Sequence, residues 1–109
     1  MTYIELQNIL EVWGLSWSVA GHRIEIGAQD FGAPMGGDIC IAEISTTNQN
    51  TYLLHYDAAQ DTLMNHQDML KLNQFCKQLS STPLEDRGSK SVFREKLART
   101  FSRVKSAFA

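Results

Sequence analysis

The sequence predicts an α+β domain: a four-stranded antiparallel meander with helices packed on one face, in the order α-β-β-β-β-α-α. Three observations predict it. Apolar residues recur at helical spacing up to Trp13, at a period of two through the middle of the chain, and at helical spacing again from Asn65. The strands follow one another with short connections, which favours antiparallel pairing because parallel pairs need long crossovers. The 109 residues suffice for one core and leave no room for two, so residues 1–109 read as a single domain.

Thr2 and Glu5 match a capping box, each side chain accepting from a free backbone N–H of the other residue. Tyr3, Leu6, Ile9, Leu10 and Trp13 then form one helical stripe, and Gly14 suits a left-handed cap, so the first helix spans about residues 3–13. Leu15, Trp17 and Val19 alternate with Ser16 and Ser18. After a tight turn at Ala20-Gly21-His22, Arg23 to Ile26 alternates again, which makes residues 15–27 a hairpin. One face of the sheet can stay wet, as Ser16, Ser18, Arg23 and Glu25 allow.

Residues 29–37 contain Gly32, Pro34, Gly36 and Gly37 and read as a loop. Residues 38–46 are β-branched and nearly continuously apolar, as in a central strand. Thr47 to Asn50 forms a turn and residues 51–56 a fourth strand. Residues 57–62 are polar and favour no element. Asn65 caps a second helix with Met69, Leu72, Phe75, Cys76 and Leu79 on one face. Residues 80–91 have the Pro, Gly and Ser content of a linker, and Ser91 caps a third helix over 92–108.

Hydrophobic residues make up 43% and charged residues 20%, which excludes a disordered chain. No apolar run approaches the ~20 residues of a membrane span, and the first residues have no basic segment of a secretory signal. Cys40 and Cys76 sit inside apolar patterns and read as buried free thiols, which points to a reducing, cytoplasmic location.

The net charge of -2 hides an asymmetry. Residues 1–86 hold eleven acidic and three basic residues, and residues 87–109 hold seven basic and one acidic. At about 100° per residue, Phe93, Leu97, Phe101, Val104 and Phe108 fall within roughly 80° of one another. Lys96, Arg99 and Arg103 flank this stripe on one side, Arg94 and Lys105 on the other. The leading expectation is that the stripe packs on the domain's own core while its basic rims reach solvent. A helix that binds a partner or a second copy comes next. Phosphate contacts to nucleic acid and a membrane surface follow, and an acidic body opposes the first of these.

No other constellation carries chemistry by its spacing. His22, His55 and His66 form no metal-binding pair, so neither metal nor cofactor is expected. His55 with Asp57 and Asp61 would hold a metal only if the turn converged them; otherwise it is the outward residue of a strand. Cys76 paired with a histidine would make a nucleophile, but its apolar face argues for packing. The glycine loop leads into a strand and not into a helix N-terminus, so it is no phosphate cradle. Phe31 and Met35 make it a second contact point. Glu85 and Asp86 read as solvated. The function that follows is a small non-catalytic interaction protein, of adaptor, inhibitor or chaperone type. Its contacts would be Phe93, Arg94, Lys96, Leu97, Arg99, Phe101, Arg103 and Val104 with Phe31 and Met35. A binder of nucleic acid or anionic surfaces and a ligand-binding protein or enzyme around His55 and Asp57 are the alternatives.

Overall fold

The computed structural model describes residues 1–32 and 36–89. Over these the element order is α-β-β-β-β-α-α: α1 (Tyr3–Trp13), β1 (Ser16–Ala20), β2 (Arg23–Gln29), β3 (Asp38–Ser45), β4 (Tyr52–Leu54), α2 (Tyr56–Ala59) and α3 (His66–Ser81), then a 3₁₀ turn (Leu84–Asp86). The sheet order is β1-β2-β3-β4 with every neighbouring pair antiparallel, so the predicted meander is the observed one. α2 is a single turn in the stretch whose polar sequence favoured no element. The helix expected over 92–108 lies outside the described residues.

Local chemistry sets the element ends as the sequence implies. The Thr2 side chain accepts from the Glu5 N–H, but the expected capping box is only half made, since the Glu5 carboxylate accepts from the Thr2 hydroxyl and not from its N–H; Gly14 closes α1 at φ 76°. Asn65 and Asp68 complete a reciprocal capping box at the start of α3. Leu15, Trp17, Ile24, Ile26, Ala42 and Ile44 line the inner sheet face, and Leu6, Leu10, Met69, Leu72, Cys76 and Leu79 come down on it from α1 and α3. Burial of these side chains drives the assembly, at roughly 1.5–3 kcal/mol for each large one.

The segment read as the start of a linker is fastened to the body as far as Arg87. Residues 80 and 81 belong to α3, Pro83 follows its C-cap, and Arg87 is fully buried. The Arg87 guanidinium donates to three main-chain carbonyls: Nε to Thr82 (3.0 Å), Nη1 to Ser45 (2.8 Å) and Nη2 to Ser80 (2.9 Å). Its own carbonyl accepts from the Tyr3 N–H at 2.7 Å. A helix end leaves four carbonyls without intrahelical partners. Here Gln78 is met by the Thr82 hydroxyl, Leu79 by the Thr82 N–H, Ser80 by Arg87 and the Asn50 N–H, and Ser81 by Gln49.

Arg87→Ala would leave three carbonyls short of a donor and open a cavity, so we expect it to destabilise the fold by roughly 3–5 kcal/mol in urea unfolding. Arg87→Lys should recover only part of this, because an ammonium does not span three acceptors as a planar fork does. A loss below about 1 kcal/mol for the alanine variant would refute the assignment.

Candidate functional site

The outer face of the sheet is polar and carries a mixed cluster of ionisable groups. Arg23 and Glu25 stand on β2 and Glu43 on β3, with Glu25 and Glu43 directly paired. Arg23 Nε lies 2.8 Å from Glu43 Oε1, and an Arg23 Nη lies 3.1 Å from Glu25 Oε1. The other oxygen of Glu43, Oε2, lies 2.8 Å from His55 Nε2. These side chains remain partly exposed, so their ion pairs add little to stability.

Cys40 joins this cluster because of a β-bulge. Three residues apart on a regular strand, Cys40 and Glu43 would point to opposite faces. The β2–β3 register shifts between Ile26 and Gly27: Ile26 faces Ala42, whereas Gly27 faces Cys40. Ile41 is therefore the extra residue. Ile41 and Ala42 are both fully buried, and Cys40 turns outward beside Glu43. The expectation of two buried thiols thus holds for Cys76 and not for Cys40, which is half-buried on the wet face. Opposite the bulge, Gly27 has no room for a side chain, since a Cβ there would lie 2.7 Å from Ser16 Oγ. That hydroxyl donates to Asp38 across the glycine.

His55 arrives from the end of β4, where its N–H donates to the Ile41 carbonyl at 2.8 Å. Strand β4 is shorter than the predicted residues 51–56, because the chain turns into α2 at Tyr56. His55 points outward as the alternation implied, but Glu43 and Cys40 meet it there, and the anticipated Asp61 does not. One ligand atom from each of Cys40, Glu43 and His55 lies within 4.8 Å of the others. An open hollow of about 650 Å³ surrounds them, with Glu25, Tyr56 and Asp57 also on its wall.

Both thiols are held in the neutral form. Burial, then the Glu25 and Glu43 carboxylates, push Cys40 up to about 11 from the usual 9.0. Burial alone pushes Cys76 up to about 12. The Cys40 thiol points its hydrogen at the Ala42 carbonyl, 3.3 Å away. It is thus arranged as a donor to backbone and not as a nucleophile primed by a base.

A second surface lies on the outer side of the helices. Ile9 and Trp13, predicted in the buried stripe of α1, turn toward Phe75 of α3. The Trp13 and Phe75 rings meet edge to face at 6.0 Å. With Asn8, Val12 and Lys71 they line a mainly apolar groove of about 490 Å³, and Val12 is 92% exposed.

The other predicted contacts divide. Phe31 is 57% exposed at the loop tip, where its N–H donates to the Asp61 carbonyl. The carboxylates of Asp30 and Asp61 lie beside Gly32, an acidic setting that suits no phosphate. Met35, Phe93, Arg94, Lys96, Leu97, Arg99, Phe101, Arg103 and Val104 lie outside the described residues. Glu85 and Asp86 are exposed, as expected. Among the described residues, no helix is long and apolar enough to cross a membrane. Comparison with protein-family models, curated proteins and solved structures finds no match.

The thiols give the fold an alkaline limit. Above pH 9 the unfolded chain releases thiol protons that the folded chain retains, so stability falls as pH rises from about 9 through about 12. We expect Cys76→Ala to be about 1 kcal/mol less stable at neutral pH, for the small cavity. Its loss of stability above pH 9 should be shallower than that of the natural chain in urea titrations. Parallel curves for the two proteins would show that Cys76 does not contribute.

Proposed function

We propose that this chain is a non-catalytic, cytoplasmic protein-interaction module that receives a basic amphipathic helix along the outer face of α1 and α3. The observation that carries this reading is the groove between Ile9, Val12, Trp13 and Phe75. Ile9, Val12 and Trp13 recur along it at helical spacing on α1, and Phe75 of α3 closes its other side, an apolar trough of the kind a helix laid in a groove uses. Val12 is 92% exposed and extends this apolar trough to the surface, where a partner can cover it.

Charge defines the partner. Residues 1–86 hold eleven acidic and three basic residues, and Glu5 and Glu11 belong to the α1 surface. A helix with an apolar stripe and Lys or Arg on its rims therefore complements the acidic body, with its cations directed to the α1 side and away from Lys71 on the groove wall. The chain's own residues 92–108 have that chemistry, which makes their sequence a suitable probe. The neutral thiols support a binding role over thiol catalysis, and two free cysteines suit a reducing compartment.

The test uses the full chain with Phe93→Ser, Leu97→Ser and Phe101→Ser, so that its own segment no longer competes. A fluorescent peptide of residues 91–109 should bind this protein and perturb Trp13 emission. Adding Val12→Asp, a surface change that leaves the core intact, should weaken binding at least tenfold. A scrambled peptide of equal charge should bind no better than the Val12→Asp variant binds the native one. Binding that ignores Val12→Asp, or is matched by the scrambled peptide, would overturn the reading.

A further inference from the structure

The outer-face cluster is separate from the helical groove and supports an inference independent of it. We propose that Cys40, Glu43 and His55 form a binding site for a divalent cation of borderline softness, with zinc as the ion their donors fit.

The donor set is the first argument. One thiol sulfur, one imidazole nitrogen and one carboxylate oxygen are the three ligand types zinc takes in proteins, and three protein ligands leave a fourth position open. Magnesium and calcium prefer oxygen alone. A sulfur–nitrogen–oxygen set therefore selects against the abundant hard cations.

Geometry is the second. The three ligand atoms already lie within 4.8 Å of one another. Around a tetrahedral ion at about 2.0–2.3 Å from each donor, ligand atoms stand roughly 3.3–3.8 Å apart. The adjustment needed is small. It falls on partly exposed side chains, Glu43 and His55 exposing 23% and 35% of theirs, and an ion would take the place of the His55–Glu43 contact. The backbone that carries them is fixed. The bulge at Ile41 sets the direction of Cys40, and the bond from the His55 N–H to the Ile41 carbonyl ties β4 to the same residue.

The surroundings supply the third. Arg23 holds Oε1 of Glu43, which orients the carboxylate and leaves Oε2 toward Cys40 and His55. That is the work of an outer-shell partner around a metal ligand. Glu25 stands beside the thiol and adds negative potential. The carboxylates that oppose a bare thiolate become favourable once a dication is present. Binding then replaces the S–H bond of Cys40 by an S–metal bond and releases that proton to solvent.

The same residues suit a nucleophile–base dyad poorly. The Cys40 hydrogen is directed to the Ala42 carbonyl, and His55 Nε2 is engaged by Glu43. Two carboxylates near the sulfur raise the cost of a thiolate, whereas catalytic thiols are stabilised by positive neighbours.

Cobalt(II) is the probe, because thiolate ligation gives it a sulfur-to-metal charge-transfer band and tetrahedral geometry gives it intense visible bands. Titration of the full chain under reducing conditions should produce both, saturating at one ion per chain, and zinc should erase them. Cys76→Ala should keep the spectrum. Cys40→Ser should abolish the charge-transfer band, and His55→Gln and Glu43→Gln should each weaken binding at least tenfold. Circular dichroism checks that each variant folds. Should Cys40→Ser not fold, zinc-edge X-ray absorption of the natural chain reads the ligands directly, with one sulfur expected. No charge-transfer band, a band that survives Cys40→Ser, or a zinc spectrum without sulfur would overturn the site.

Discussion

The fold closes around one buried cation. Arg87 is fully buried and gives its guanidinium to the carbonyls of Ser45, Ser80 and Thr82. These carbonyls belong to the end of β3, the end of α3 and the residue that caps it. The Arg87 carbonyl in turn accepts from Tyr3, one of the N–H groups that the first turn of α1 leaves without an intrahelical partner. One residue thus joins both helices and the central part of the sheet at a single end of the molecule. Burial of a full charge is tolerable only when its hydrogen-bonding capacity is met. Carbonyls near a helix C-terminus suit the task, because their dipoles present partial negative charge there.

That closure explains why the two faces of the sheet differ so sharply. With α1 and α3 clamped over the inner face, Ile24, Ile26, Ile41 and Ile44 of β2 and β3 are fully buried. The bulge at Ile41 serves the same end: it sends two consecutive residues, Ile41 and Ala42, into the core. Its consequence on the outer face is the placement of Cys40 among acids. A sheet face covered by nothing else would stay polar, and Ser18, Arg23, Glu25 and Glu43 keep it so. The outer cluster is therefore a by-product of how the core is filled, and its chemistry follows from which residues the bulge happened to leave outside.

The parts of this arrangement legible in the sequence are those governed by periodicity and capping. α1, α3 and the β1–β2 hairpin follow from the spacing of Leu6 and Leu10, of Leu72 and Cys76, and of Trp17 and Val19. Thr2 and Asn65 were readable as caps for the same reason, since their partners are local; Asp68, which completes the box at α3, was not singled out, and Glu5 turns to the Thr2 hydroxyl instead of its N–H. Arg87 was not readable, because a lone basic residue among Pro, Gly and Ser has the composition of a linker, and its three acceptors are set by tertiary packing. The bulge was hidden by the continuous apolar run around Ile41, which has no alternation to break. The outward position of His55 follows from alternation, yet its partners Glu43 and Cys40 lie twelve and fifteen residues earlier on β3, where only the register brings them to it. α2 escaped notice because a one-turn helix has too few residues to show a period.

Arg87 also changes how the charge asymmetry should be read. Counted with the body, it leaves residues 1–87 with eleven acidic and four basic residues, and residues 88–109 with six basic and one acidic. The two parts then carry -7 and +5, and still sum to -2. But the Arg87 charge faces carbonyls inside the protein and not solvent. Of the three other cations, Arg23 is engaged by Glu25 and Glu43. With Arg87 turned inward and Arg23 shared between two carboxylates, the solvent-facing charged side chains of the body are predominantly acidic. At physiological salt the field of these side chains reaches ~8–10 Å from the surface. The buried arginine gives its charge to the carbonyls that join β3 and α3, and its own carbonyl holds α1, while the acidic side chains face solvent.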